Sequence, residues 1–270
     1  MWKAAVAIMF VAALIPATLS QAEEWSKTFT IAGKPELRVE TNDASVHLDV
    51  WDRHEIEARV VTRGYGLAVV GGKEDGGVRV RDEQSGDRVD IDVHVPTYHW
   101  SVGLNTRSVR IELRVPRQGS FDIRTRDGSI DATGLKGDIR LSSGDGHIEA
   151  DQLEGALRAQ SGDGHMRIRG RFEQLALETG DGHIDAAVDP GSAMSASWTM
   201  HTGDGNVELR LPQDFAADLE AHTGDGRVTV DFPIAVSGTV SRSDVRGKIN
   251  GGGWLLRIHT GDGSIHIERL

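Results

Sequence analysis

A chain of 270 residues with 41 acidic against 30 basic side chains, a formal charge of −11, argues against nucleic acid as a partner and disfavours simple electrostatic docking on anionic lipid. Its 38% hydrophobic and 26% charged residues suit a folded core rather than disorder, and 33 Gly against 7 Pro point to many tight turns without rigid linkers. The absence of Cys excludes disulfides and an N-terminal lipid anchor through Cys.

The segment 1–22 reads as a signal peptide. Lys3 supplies the positive start, Ala4 to Leu19 is an apolar run interrupted by Pro16, and Ser20-Gln21-Ala22 offers small residues for cleavage. Cleavage after Ala22 starts the mature chain at Glu23. No second apolar segment of spanning length follows, so the expected location is outside the cytoplasm: periplasmic, on the cell surface or secreted, with no integral membrane segment left after cleavage.

Residues 23–62 alternate apolar and polar residues as strands do, and "TNDASV" within them looks like a degenerate turn. Residues 63–100 hold the Gly-rich breaks "RGYG" and "GGKEDGG" and then an alternating stretch, which predicts an antiparallel hairpin excursion with a loop through Pro96 to Trp100. "SVRIELRVP" at 108–116 brings the chain back. Residues 23–120 are thus expected to form an N-terminal β region and cap with a hairpin insertion. It is continuous with a repeat region over 121–270 in one domain.

The repeat is written around Gly-Asp-Gly. Turns centred on Asp127, Asp145, Asp163, Asp181, Asp204, Asp225 and Asp262 follow one another at spacings of 18, 18, 18, 23, 21 and 37. The last spacing is about two periods, and "SRSDVRG" around Asp244 is the expected weak copy that fills it. Self-similarity at a short, nearly fixed period such as this marks a solenoid.

In "GDIRLSSGDGHIEADQLEG", Ile139 and Leu141 alternate with Arg140 and Ser142, and after the turn Ile148 and Ala150 alternate with His147 and Glu149. The next copies repeat the scheme, and by the same parity Trp198 and Met200 face inward. A coil this short cannot contain a crossover helix, so each strand must pair with its equivalent one coil along. The fold class this predicts is all-β, a parallel β-solenoid of about 18–21 residues per coil and about eight coils, carrying an N-terminal β cap. At each corner Gly is expected to supply positive φ, Asp a bond to its own backbone, and the preceding inward Ser or Thr a hydroxyl for corner backbone groups.

With the repeats laid out, the chain resembles the bacterial DUF4097 family, the adhesin-labelled β-strand-repeat proteins of unknown function. The residues that carry the likeness are "VRIELRVP" at 109–116, the serial "TGDG-x-[IV]" turns and "GKINGGGWLLRIHTGDGSIHI" at 247–267. The resemblance spans roughly 25 to 270 and implies an exported β-solenoid of the cell envelope. It carries no catalytic motif, and no wall-anchoring or outer-membrane barrel segment is visible in this chain.

Two patterns are candidate sites. His147, His165 and His183 follow the turn directly in three successive copies, and His201, His222 and His259 precede it in later ones; both sets point outward by parity. His147, His165 and His183, with Asp145, Asp163 and Asp181 beside them, are the weak metal-ligand candidates. The plainer reading makes them polar residues at outward ladder positions, and one carboxylate per turn supplies few ligands for calcium.

An enzyme on such a scaffold needs converging acids, whereas the outward column Glu149, Arg167, Asp185, Glu208, Thr229, His266 mixes signs without a cluster. No cofactor motif occurs. The reading is therefore a non-catalytic structural or binding protein with an envelope protein or glycan as partner. A carbohydrate-active enzyme on a β-helix scaffold and an envelope-stress sensing or scaffold component are the alternatives.

Overall fold

The computed structural model describes residues 23–64, 67–69, 77–96, 108–236 and 241–270. The expected signal peptide, most of "GGKEDGG" and the loop from 97 through Trp100 lie outside the described residues. Among the described residues every regular element is a strand, and all of them join one 22-stranded sheet. The all-β expectation holds.

The cause is the period-two pattern read above. Ile139 and Leu141 are buried while Arg140 is exposed, and Ile148 and Ala150 are buried while His147 and Glu149 are exposed. The inward residues form one apolar core running from Phe29 to Ile267, with Trp198 fully buried in it.

Each Gly-Asp-Gly corner joins an entry strand to an exit strand. Entry strands pair in parallel, with Phe121, Ile139, Leu157 and Leu175 in one register column. Exit strands do the same, with Ile130, Ile148, Met166, Ile184 and Val207 in line. The stacked strands share backbone hydrogen bonds, so no coil stands without its neighbours.

The spatial order departs from the chain order at both ends. Thr202 is paired with Thr260, and Thr260 with Thr223, so the last strands of the chain, Leu255–Thr260 and Ile265–Arg269, sit between Trp198–Leu211 and Ala217–Val230. The long gap between Asp225 and Asp262 is therefore not a missing coil. The strand Asp244–Ile249, which contains most of the expected copy "SRSDVRG", runs antiparallel to both Ala217–Thr223 and Ile234–Val236. Alternation alone cannot distinguish this antiparallel strand from a parallel coil, because both bury every second residue. From there Asn250, Gly251 and Gly252, at φ of 46°, 92° and 88°, turn the chain back into the stack.

The N-terminal region is permuted in the same way. Glu36–Thr41 lies between Arg88–His94 and Gln118–Thr125, and Ser45–Trp51 lies between Ser108–Pro116 and Ile130–Thr133. Val78–Ser85 and Arg88–His94 form the expected antiparallel hairpin across Gly86, at φ 62°. Glu23–Thr30 and Glu55–Arg63 close the other face in antiparallel pairing. Antiparallel strands thus flank the parallel stack at both ends, where bare parallel edges would invite further pairing.

Candidate functional site

The Gly-Asp-Gly edge repeats from coil to coil, and its chemistry starts from the buried hydroxyls. Ser143 Oγ accepts a hydrogen bond from Gly146 N–H at 2.9 Å and donates to the Gly128 carbonyl of the preceding coil at 2.9 Å. Ser161 does the same with Gly164 N–H and the Gly146 carbonyl, both at 3.1 Å. Thr202 and Thr260 repeat the pattern with Gly205 and Gly182, then Gly263 and Gly205. Each hydroxyl therefore serves its own corner as acceptor and its neighbour's as donor, which links the coils through their buried edge.

The glycines are needed for a reason other than the one expected. Gly146 and its equivalents are not in the positive-φ region, which among the described glycines holds at other positions such as Gly137 and Gly155. A Cβ on Gly146 would lie 2.0 Å from the Gly128 carbonyl oxygen, and one on Gly164 2.0 Å from that of Gly146. Close stacking of one corner on the next excludes a side chain there. Nor do the aspartates bond the turn: Asp145, Asp163 and Asp181 are exposed, and among the described residues their carboxylates make no hydrogen bond to the backbone. The Ser/Thr hydroxyl is the side chain that does so, beside backbone bonds from coil to coil such as Gly144 N–H to the Arg126 carbonyl at 2.7 Å.

Outside the corner, His147, His165 and His183 come together as parallel rings with centroids 5.3 and 4.9 Å apart and interplanar angles of 3°. His165 N–H donates to His147 Nδ1 at 3.1 Å, His183 N–H to His165 Nδ1 at 3.0 Å, and Asn206 N–H to His183 Nδ1 at 2.9 Å. Asn206 Oδ1 continues the series by accepting from Ser264 N–H at 2.7 Å. The column thus selects a side-chain acceptor that takes up the next coil's amide. That requires the neutral imidazole with its proton on Nε2. Partial burial, then the neighbouring His183 and His147, hold His165 below the ordinary histidine range.

The second histidine set is a stack in spatial rather than chain order. His259 lies between His201 and His222 at 5.2 and 5.4 Å, and burial with those two neighbours lowers its pKa as well. Asp244 on the antiparallel strand Asp244–Ile249 closes the column, its Oδ2 3.3 Å from His222 Nδ1. This contact depends on the antiparallel placement of that strand, which the alternation does not reveal.

The geometry brings the three histidines together in one column and the aspartates into register at the corner tip. Parallel rings direct their Nε2 atoms side by side, not toward a common centre. Among the described residues no group of three or more His, Asp or Glu is arranged to hold a metal ion. On the exit face Arg167 lies between Glu149 at 3.5 Å and Asp185 at 4.0 Å, and Arg210 reaches Asp185 at 3.1 Å and also pairs with Glu208. Glu149 and Asp185 bond across coils to these arginines, and together they line one open depression in which each of the two acids is already paired with an arginine.

The chain is similar in shape to several solved structures. One, from Clostridium sporogenes ATCC 15579, is called a "putative cell adhesion protein"; it is 14% identical, with 93% of this chain and 100% of that one covered, at a TM-score of 0.43. A "putative adhesin" from Bacteroides fragilis NCTC 9343 is 8% identical over 92% and 97% of the two chains, at a TM-score of 0.38. A "putative lipid binding protein" from Parabacteroides distasonis ATCC 8503 is 12% identical over 92% and 96%, at a TM-score of 0.37. No curated protein matches the sequence. The family model described as Toastrack DUF4097 matches residues 36–268, nearly the whole of the described stack, and the chain belongs to that family.

Proposed function

We propose that this protein is a non-catalytic component of the cell envelope or surface, a β-solenoid exported by the segment 1–22 that presents a rigid ladder to an envelope protein or glycan. The single continuous domain runs from Glu23 to Leu270, with the permuted N-terminal coils and hairpin as its cap. Among the described residues no helix is long and apolar enough to cross a membrane.

The observation that carries this reading is the side-chain ladder on the outer surface. The acceptor column His147, His165, His183, Asn206 and the ion pairs of Arg167 and Arg210 engage outward polar groups with the next coil. Such groups give a stiff surface that repeats about every 4.8 Å, a form suited to an extended partner. General acid–base or nucleophilic chemistry instead asks for a few groups converging on one reacting atom.

The test is to incubate the purified mature chain with a panel of cell-wall and capsular polysaccharides and with solubilised envelope proteins. Capture of a panel member without change in its chain length supports the proposal. Release of reducing ends or unsaturated sugars, abolished by single acid-to-amide substitutions, overturns it in favour of a carbohydrate-active enzyme.

A further inference from the structure

Charges on the entry face follow a simple rule that fails at one place. Through successive coils one outward column reads Asp90, Arg38, Asp122, Arg140, Arg158, Ala176. Opposite signs alternate as far as Arg140, and then a second arginine follows, backed by alanine. Farther along the same column Arg257 again has an acid beside it, Glu220 at 3.1 Å.

The carboxylates that could serve the arginine pair are engaged elsewhere. Asp122 is held by Arg124 at 2.8 Å, Asp138 faces Lys34 at 3.7 Å, and Glu178 accepts from Gln160 at 3.2 Å. Among the described residues neither Arg140 nor Arg158 has an ion-pair or hydrogen-bond partner, and both are exposed. Two like charges in register on adjacent strands repel each other, so this position is disfavoured in the isolated protein. Beside them the surface sinks into a groove lined by Ala156, Ala176, Arg140, Arg158, Gln174 and Thr199, with Asp138, the carboxylate that faces Lys34, at one end.

We propose that this groove binds an acidic glycan, its carboxylate or sulfate groups taken by Arg140 and Arg158 and a sugar ring seated over Ala156 and Ala176. The assignment rests on the ladder reading given above and names the ligand class. Guanidinium forks match carboxylate and sulfate oxygens in bidentate geometry. The spacing of the two arginines, one coil or about 4.8 Å, is comparable to the length of one sugar ring. Gln174 and Thr199 offer donors and acceptors for ring hydroxyls. A local arginine groove on a protein of charge −11 suits a single anionic chain, whereas an anionic bilayer would also meet the surrounding acidic surface.

Calorimetric titration with a galacturonate hexasaccharide, and with maltohexaose as the neutral counterpart, tests it. The wild type should bind the acidic sugar, more weakly as salt rises, and should bind the neutral one far less. Arg140→Gln with Arg158→Gln should weaken acidic-sugar binding by at least about tenfold. Ala176→Glu, which supplies Arg158 with an acid in the next coil, should do the same. Arg126→Gln, at an exposed arginine away from the groove, should not. All four residues are surface positions, and melting curves verify that the variants fold.

Equal binding of the two sugars, undiminished binding by the arginine double variant, or retention on phosphatidylglycerol vesicles without sugar binding overturns the assignment. If the acidic sugar fails while another panel member is captured, the groove assignment alone falls. If no panel member is captured, the binding function falls with it.

Discussion

A Cβ placed on Gly146 would sit 2.0 Å from the carbonyl oxygen of Gly128 in the coil before it, far inside van der Waals contact. Gly146→Ala should therefore force the two coils apart, at a cost of about 3 kcal/mol or more, and Gly146→Val should cost at least as much. Asp145→Asn, at the exposed tip of the same corner, should leave the melting temperature nearly unchanged, with or without chelator. Thermal melts of the variants give the comparison. A larger loss from the Asp145 change than from the Gly146 change contradicts the corner account.

The buried hydroxyl relay makes a second expectation. Ser161→Ala leaves Gly164 N–H and the Gly146 carbonyl without their shared partner in a buried corner, which should cost about 1–3 kcal/mol. Ser161→Thr, the residue used at the equivalent positions 179, 202, 223 and 260, should restore or exceed wild-type stability. Denaturant titration measures both, and an Ala variant as stable as the Thr variant would contradict the relay.

Much of this was legible in the residues themselves. Parity assigned Ile139, Leu141, Ile148 and Trp198 to the interior and the histidines to the surface, and the recurrence of Ser/Thr before Gly-Asp-Gly marked the corner. The reason for the glycines was not legible, because the obstacle to a Cβ is the neighbouring coil, which is remote in sequence. Nor was the coil order. Asp244–Ile249 carries the same alternation as a parallel coil, and only the pairing of Leu255–Thr260 with both Trp198–Thr202 and Ala217–Thr223 shows that the last coil is inserted. The His222–Asp244 contact depends on the placement of Asp244–Ile249 and was hidden for the same reason, whereas the register of Arg140 on Arg158 follows from the 18-residue period itself.

Acid should weaken the fold through the histidine columns. His165 and His259 are held below the 6.5 of a free histidine, so the unfolded chain binds protons there more readily than the folded one. A group depressed in this way contributes stability that is fully present above about pH 6.5 and is lost as pH falls through the folded-state value. Protonation also converts Nδ1 of His165 from acceptor to donor and breaks its bond from His183 N–H. His165→Asn, which keeps an acceptor as Asn206 does, should reduce the acid slope of the melting temperature. An unchanged slope below pH 6.5 would show that the column does not contribute.

Removing residues 255–270 should have consequences beyond the deleted coil. In the observed order that segment separates Trp198–Leu211 from Ala217–Val230, so its loss leaves two coils with unpaired strands and an opened core. Hydrogen exchange on the truncated chain should show loss of protection across 198–230 as well. Protection retained there would mean that the last coil lies at the end of the stack.

The inserted coil is tested most directly by cross-linking, since the chain has no cysteine of its own. Thr199 and Arg257 are register partners on adjacent parallel strands, while Glu220 lies one strand farther, beside Arg257. Neighbouring strands lie about 4.8 Å apart, within disulfide reach, and strands twice as far apart are beyond it. Under mild oxidation the pair Thr199→Cys with Arg257→Cys should therefore form a disulfide in the folded protein, and the pair Thr199→Cys with Glu220→Cys should not. A disulfide in the second pair and none in the first would mean that the coils stack in chain order, and would contradict the structure described.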